Sequence, residues 1–290
     1  MVVNGIAGGS SVVTASVAGL SASCTVTCAT PSSLAFRGYW VSPGILYRDA
    51  NGNYGLTNVR DGDNFNPFEL YDYFNHSESL NTYYFKWFNL RTELGADGNN
   101  IDADSDKLPA GWMFPTGTNS SSGIWNTIFN GVPKTEIKIG NTVLGTSPYD
   151  SSRPMPWAKV TVTVGDKSYY GVILLRDGAV VDFNLNTLGK SSAYSDNILS
   201  YTDLQKFLDE RCLFISCSGY YNDVTNSLKG WKDLKGSYYE LEYWSSTYVN
   251  DAKAGYYLAT SLLNGAATSS SGSTYCMPVR LVKPATDMNS

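Results

Sequence analysis

Three aspartates recur at every second position in DGNNIDADSD (residues 97–106): Asp102, Asp104 and Asp106. That is the 1-3-5 spacing of a calcium loop, and hard carboxylate oxygens suit Ca²⁺. The rest of the ligand set is missing. Lys107 stands where the loop needs its glycine, and Met113 stands where it needs a bidentate glutamate. A solvated acidic loop is the expected outcome, and DANGNYG (residues 49–55) is a weaker case of the same kind. The single histidine, His76, has no Ser or Cys partner nearby in the sequence, so nucleophilic catalysis has little to stand on. The five cysteines, Cys24, Cys28, Cys212, Cys217 and Cys276, contain no CxxC pair, so no zinc site of the usual kind is expected. Cys24 and Cys28 lie four apart on one strand, at roughly 13 Å, too far for a disulfide without a bend. Cys212 and Cys217 face opposite sides of a strand, and either can pair with Cys276. The alternative is five buried free thiols. No cofactor motif is present. What remains is non-covalent chemistry, concentrated in EYWSSTYVNDAKAGYYLATSLLNG (residues 242–265). There Tyr243, Trp244 and Tyr248 precede a polar tip, and Tyr256 and Tyr257 follow it.

The chain that must position these residues has 290 of them, enough for a large core. Only 16% are charged, and 21 are tyrosine, a side chain with a broad apolar face, a polar tip and few torsions to freeze. Tyr also fills strands in ordinary β-rich proteins. The net charge of −5 carries no basic block, which argues against a nucleic-acid partner. No apolar run of about 18 residues occurs, so no membrane-spanning helix is expected. The start, MVVNGIAGGSS, lacks a basic segment before an apolar core and is not a signal peptide. For an exported protein the signal would lie upstream.

Residues 10–28 alternate small, polar and branched side chains on either side of Ala18-Gly19, a hairpin pattern too short to bury a core alone. Residues 29–33, ATPSS, read as a linker. Beyond it, Pro67 can open a helix in FNPFELYDYF. SSSGIWNTIFNG predicts a short helix with a Ser cap, an apolar face of Ile124, Trp125, Ile128 and Phe129, and a stop at Gly131. KVTVTVGDKSYYGVILL predicts two strands around Gly165-Asp166. YTDLQKFLDERC predicts a helix with Thr202 and Gln205 as a capping box and Leu204, Phe207 and Leu208 as its stripe. LFISCSGYY follows as a strand, and further strands are expected over 242–249, 254–263 and 274–283. Helices before strands with short connections indicate an α+β domain.

Two resemblances add to this reading. Residues 10–28 resemble the last two strands of a bacterial immunoglobulin-like (group 2) domain. DKLPAGWMFPTGTNSSSGIWNTI, CLFISCSGYYND and YWSSTYVNDAKAGYYLATSLLNG…TYCMPVRLVK resemble, in order and rough spacing, the signatures of the Fibrobacter succinogenes major paralogous domain. The second resemblance covers about residues 105–283, interrupted near 132–200. It departs from the family at Leu281, in place of a cysteine, and at Met113, in place of a basic residue. It implies a C-type lectin-like fold over residues 31–290, with an insert near 132–200, behind an immunoglobulin-like remnant at residues 1–30. It also implies a surface or secreted protein of the kind found in gut Bacteroidetes.

In that fold the late strands form a central sheet with one binding side. Trp244, Ser246 and Tyr248 share one strand face and Tyr243, Ser245 and Thr247 the other. One set is expected in the core and the other at the surface. Leu258 and Leu262 are expected to point inward, and Tyr257, Ala259 and Ser261 outward. The variable proteins of diversity-generating retroelements, which share the fold, place Tyr, Ser, Asn, Asp and Thr on the binding side. Tyr220, Tyr221, Asn222, Asp223, Trp231, Tyr238, Tyr239, Tyr248, Asn250, Asp251, Tyr256 and Tyr257 fit that chemistry and form the candidate ligand-binding set. Stacking rings with Asn and Asp hydrogen bonds also suit sugars. The Glu-Pro-Asn and Trp-Asn-Asp triplets of calcium-dependent lectins are absent. The expected function is non-catalytic adhesion to a glycan or protein ligand on a cell surface. The alternatives are a structural subunit of a pilus or surface assembly, in which this face is buried against a neighbour, and a retroelement-diversified receptor.

Overall fold

A computed structural model describes residues 9–17, 20–28, 35–57, 67–68, 82–117, 123–147, 154–189, 193–222, 227–229, 241–249, 255–259, 267–269 and 275–285. The described residues are mostly β-strand with three short helices, a β-rich α+β arrangement. None of these helices is long and apolar enough to cross a membrane.

The chain opens with β1 (Gly9–Val17) and β2 (Leu20–Cys28), which pair antiparallel along their whole length in a sheet of their own. Small alternating side chains allow this pairing but leave little to bury; Val12 is exposed, and Thr14 and Ser23 share a hydrogen bond across the pair. Next come β3 (Tyr39–Val41), the hairpin β4 (Leu46–Arg48) and β5 (Tyr54–Leu56), then β6 (Phe85–Lys86) running into helix α1 (Trp87–Leu94). The sequence pattern gave no sign of α1, whose buried Trp87, Leu90 and Leu94 are embedded in an aromatic run. The helix expected at Pro67 falls largely outside the described residues.

After β7 (Ala96–Asp97) and β8 (Asn100–Ile101), helix α2 (Ile124–Asn130) buries the four expected residues and ends at Gly131. Its start differs from expectation. Gly123, not a serine, is the cap residue, with φ at 114°, and the Ile124 N–H is satisfied by Thr116 Oγ1 at 3.0 Å. A side chain brought in by the fold replaces the local cap.

The middle of the chain supplies β9 (Ile137–Ile139), β10 (Thr142–Leu144), β11 (Trp157–Val164), β12 (Lys167–Leu174), β13 (Val180–Val181) and β14 (Ile198–Ser200). The turn at Gly165-Asp166 joins β11 and β12 as expected. Helix α3 (Tyr201–Asp209) buries Leu204, Phe207 and Leu208. Its capping box is Ser200 with Asp203, not Thr202 with Gln205: Ser200 Oγ accepts the Asp203 N–H at 3.1 Å. Serine is the better cap, and with it there the helix starts at Tyr201.

The expected strand LFISCSGYY is two strands, β15 (Leu213–Ser216) and β16 (Tyr220–Asn222), because Gly219 sits at φ 55° and turns the chain. The series ends with β17 (Ser227–Lys229), β18 (Glu242–Tyr248), β19 (Gly255–Ala259), β20 (Ala267–Ser269), β21 (Tyr275–Met277) and β22 (Val282–Pro284).

Two four-stranded sheets, β14-β11-β12-β15 and β17-β16-β21-β6, two three-stranded ones and three apolar clusters organise these pieces. The sheet β14-β11-β12-β15 is buried on both faces. Trp157, Val172, Leu174, Leu213 and Ile215 face a first cluster, which includes α2 and Tyr243. Ala158, Val160, Val162, Ile173 and Phe214 face a second, closed by α3 and the sheet β10-β9-β13. The described residues of 132–200 therefore share sheet and core with β15. The sheet β18-β19-β20 lies on the other side of the first cluster, and behind it a third cluster gathers Phe85, Trp87, Leu90, Phe114, Trp244 and Met277.

A buried ion pair ties the early chain to this frame. Arg37 and Asp177 are 3.3 Å apart and both nearly inaccessible. Arg37 also donates to the carbonyls of Ile128 and Leu175 at 2.8 and 2.6 Å. Burial lowers the Arg37 pKa to about 10 and raises that of Asp177, so desolvation outweighs the mutual attraction for both.

Candidate functional site

The site is built outward from β18. Its two faces do not divide into core and surface. Tyr243 and Trp244 are both fully buried, Tyr243 in the first cluster and Trp244 in the third. This corrects the expectation that one aromatic set lies in the core and the other at the surface. The reason is tertiary: β18 is a wall between two cores, so both sides of its pleat are covered. Ala259, expected outward, is buried for the same reason, while Leu258 points inward as expected. Leu262 and Ser261 lie outside the described residues.

An irregularity in β18 shapes its end. Trp244 pairs with Tyr257 and Tyr248 with Gly255, so β18 spends two more residues than β19 between these pairs. Ser245 Oγ donates to the Tyr256 carbonyl at 3.0 Å, and the Tyr248 N–H donates to Asn100 Oδ1 at 2.9 Å. Tyr248 therefore emerges half-buried, its ring 6.2 Å from that of Trp87. Gly255 is required by close approach: a Cβ there would lie 2.0 Å from Trp87 Nε1.

Four tyrosines from four strands pack against this third cluster, each half-exposed: Tyr220 on β16, Tyr248 on β18, Tyr257 on β19 and Tyr275 on β21. Tyr220 and Tyr275 meet edge to face at 4.6 Å, and Tyr257 meets Trp244 edge to face at 6.0 Å. Tyr54 joins the same rim; its hydroxyl donates to Glu93 Oε2 at 2.6 Å, and Glu93 pairs with Arg48 at 3.0 Å. Burial, then the Glu93 carboxylate, push the Tyr54 phenol well above its usual range, so it stays protonated. The buried phenols of Tyr84 and Tyr243 are raised chiefly by desolvation. These phenols are neutral hydrogen-bonding groups, not proton-transfer groups.

Of the candidate set, Tyr220, Tyr248 and Tyr257 thus come together on one cluster. Tyr221 and Asn222 are half-exposed on β16, where Tyr221 alternates to the face opposite Tyr220. Tyr256 alternates away from Tyr257 in the same way and is also half-exposed. Asp223, Trp231, Tyr238, Tyr239, Asn250 and Asp251 lie outside the described residues, as does His76. Tyr275 was missed, though the T-Y-C-M segment could have flagged it as a strand-borne aromatic between polar neighbours. Trp87 and Asn100 carried no local signal.

The acidic loops prove to be turn-formers. Asp49 accepts from the Asn53 side-chain amide at 3.0 Å and from the N–H groups of Asn53 and Asn51 at 2.7 and 2.9 Å, closing the β4–β5 turn, and these bonds lower its pKa. Asp102 Oδ1 accepts the Asp104 N–H at 3.2 Å, and the Lys107 ammonium donates to the Glu93 carbonyl. Among the described residues no three His, Cys, Asp or Glu side chains gather as a metal site.

The thiols differ from the expected alternatives. Cys24 is exposed, which corrects the picture of five buried thiols, because β1 and β2 offer it no core. Cys212 is a buried free thiol in the second cluster, its pKa pushed up to about 11 by desolvation. The Cys217 thiol donates to the Tyr194 hydroxyl at 3.1 Å, and neither proposed pairing with Cys276 forms.

The described residues offer stacking surfaces, phenol hydroxyls and amides held by a rigid core. The chain matches no family model, no curated protein and no solved structure, so its function has to be argued from this geometry.

Proposed function

We propose that this protein is a non-catalytic binding module that engages a glycan or protein ligand through the rim formed by Tyr220, Tyr248, Tyr257 and Tyr275. The observation that carries the reading is convergence. Four tyrosines from two sheets, each half-exposed, are seated on one buried aromatic cluster. Rings held on their inner side by a core have already lost their torsional freedom, so ligand contact costs little further entropy. Their outer faces and hydroxyls suit both sugar rings and protein surfaces. The fold is read as C-type lectin-like on the sequence signatures alone. The same resemblance makes the cell surface or extracellular space the expected location, with no role for nucleic acid.

Binding of the purified protein to a glycan array and to whole cells tests this reading. Retained ligand should be lost on Tyr248→Ala and Tyr275→Ala with the melting temperature little changed. Equal binding by both variants and the parent would refute the assignment of the rim.

A further inference from the structure

Residues 104–113 fold around a cleft of about 630 Å³, lined by Asp104, Asp106, Leu108, Pro109, Trp112 and Met113, with Pro284 also in its wall and none of the rim tyrosines among its lining. This is the size range of small-molecule sites. We infer that the cleft is a second binding site, and that it takes a neutral pyranose sugar.

The walls are fixed without a ligand. Ser105 Oγ donates to the Leu94 carbonyl at 2.5 Å, the Leu108 N–H to Ser105, and the Trp112 N–H to Pro109. Met113 exchanges both backbone bonds with Val282, at 2.8 and 3.0 Å, which locks the two walls together. Gly111, at φ 73°, completes the turn, and the Lys283 ammonium lies against it, 2.8 Å from where a Cβ would stand.

Two carboxylates at the edge of the cleft remain uncommitted. Among the described residues the carboxylates of Asp104 and Asp106 have no hydrogen-bond or ion-pair partner, and both residues are exposed. Trp112 is half-exposed and packs on the third cluster, so its ring is held in place. Together these groups match a hexose. The indole can stack on the C–H face of the ring, and two carboxylates can accept from neighbouring hydroxyls. The Lys283 ammonium at the rim donates to a hydroxyl oxygen and offsets one of the two negative charges. That offset disfavours an ammonium ligand, which two carboxylates and an indole alone would attract.

The inference does not rest on the tyrosine rim, and its test separates the two. Saturation-transfer NMR with methyl glucoside, galactoside and mannoside should show at least one glycoside with its ring C–H protons saturated. Its affinity should fall by about tenfold or more in the Asp104→Asn, Asp106→Asn double variant, whose exposed positions leave the fold unchanged. Tyr248→Ala should leave this binding intact. Trp112→Phe, which keeps an aromatic wall, should weaken it less than the double variant. Absence of saturation with all three glycosides overturns the proposal. So does binding indifferent to the double variant, or binding of Nα-acetyl-lysine amide in preference to every glycoside.

Discussion

Trp87 and Trp244 bind the β6–α1 segment and β18 to each other: Trp87 Nε1 donates to the Ser245 carbonyl at 2.8 Å, and Trp244 Nε1 donates to the Phe85 carbonyl at 2.7 Å. The two indoles clasp the start of α1 to β18, residues almost 160 positions apart. A buried indole N–H is costly to leave unpaired, and here Trp87 finds its acceptor on β18 and Trp244 on β6, the strand that runs into α1.

This clasp predicts the stability of the rim's foundation. Trp244→Ala should cost about 3–5 kcal/mol through a core cavity, read by urea unfolding. Gly255→Ala should cost about 1–3 kcal/mol, because its methyl group must displace the Trp87 ring. Trp87→Phe combined with Trp244→Phe should cost less than the sum of the single changes, since both bonds fasten the same pair of segments.

Tyr248 shares the cluster with Trp244 but lies at its open edge. Tyr248→Ala should weaken ligand binding by about 2 kcal/mol while costing less stability than Trp244→Ala. Isothermal titration and thermal melting of both variants check this. If Tyr248→Ala unfolds the domain and Trp244→Ala does not, the two positions have their roles reversed.

The Arg37–Asp177 pair predicts an asymmetry. Asp177→Ala should cost about 3–5 kcal/mol, because it strands the Arg37 guanidinium in the interior. Arg37→Met with Asp177→Leu should recover much of that loss, since burial already opposes both charges. Chemical denaturation of the three variants measures it.

Thiol chemistry separates two cysteines. Cys24 should react rapidly with iodoacetamide in the native protein, and Cys24→Ser should remove one fast-labelled equivalent. Cys212 should label only on unfolding, because burial and a pKa near 11 keep it a thiol.

Acidification should loosen particular turns. The carboxylates of Asp49, Asp196 and Asp203 accept local hydrogen bonds that lower their folded pKa values below 3.8. The folded state binds fewer protons at these sites, so their contribution is present above the unfolded pKa and is lost as the pH falls through the folded one. The protection of the amides of Asn51, Asn53 and Ala193, whose N–H groups these carboxylates hold, should fall below about pH 4 when exchange is compared with the intrinsic rate at each pH.

Much of the local structure was legible in the sequence because its cause is local. Gly165-Asp166 sets the β11–β12 turn, the stripe of Leu204, Phe207 and Leu208 makes α3 amphipathic, and the small alternating residues of 10–28 pair as a hairpin. The tyrosine-rich chemistry was legible in the same way. Three other features were decided by tertiary structure. Trp87 begins a helix that its aromatic neighbours hide, because what stabilises α1 is burial against Phe85 and Trp244 rather than its own periodicity. Tyr243 and Trp244 are both buried because β18 divides two cores, a fact that alternation along one strand cannot contain. Tyr275 joins Tyr220 only because β21 pairs with β16, and pairing between distant strands is settled by long-range burial that no short window of residues records.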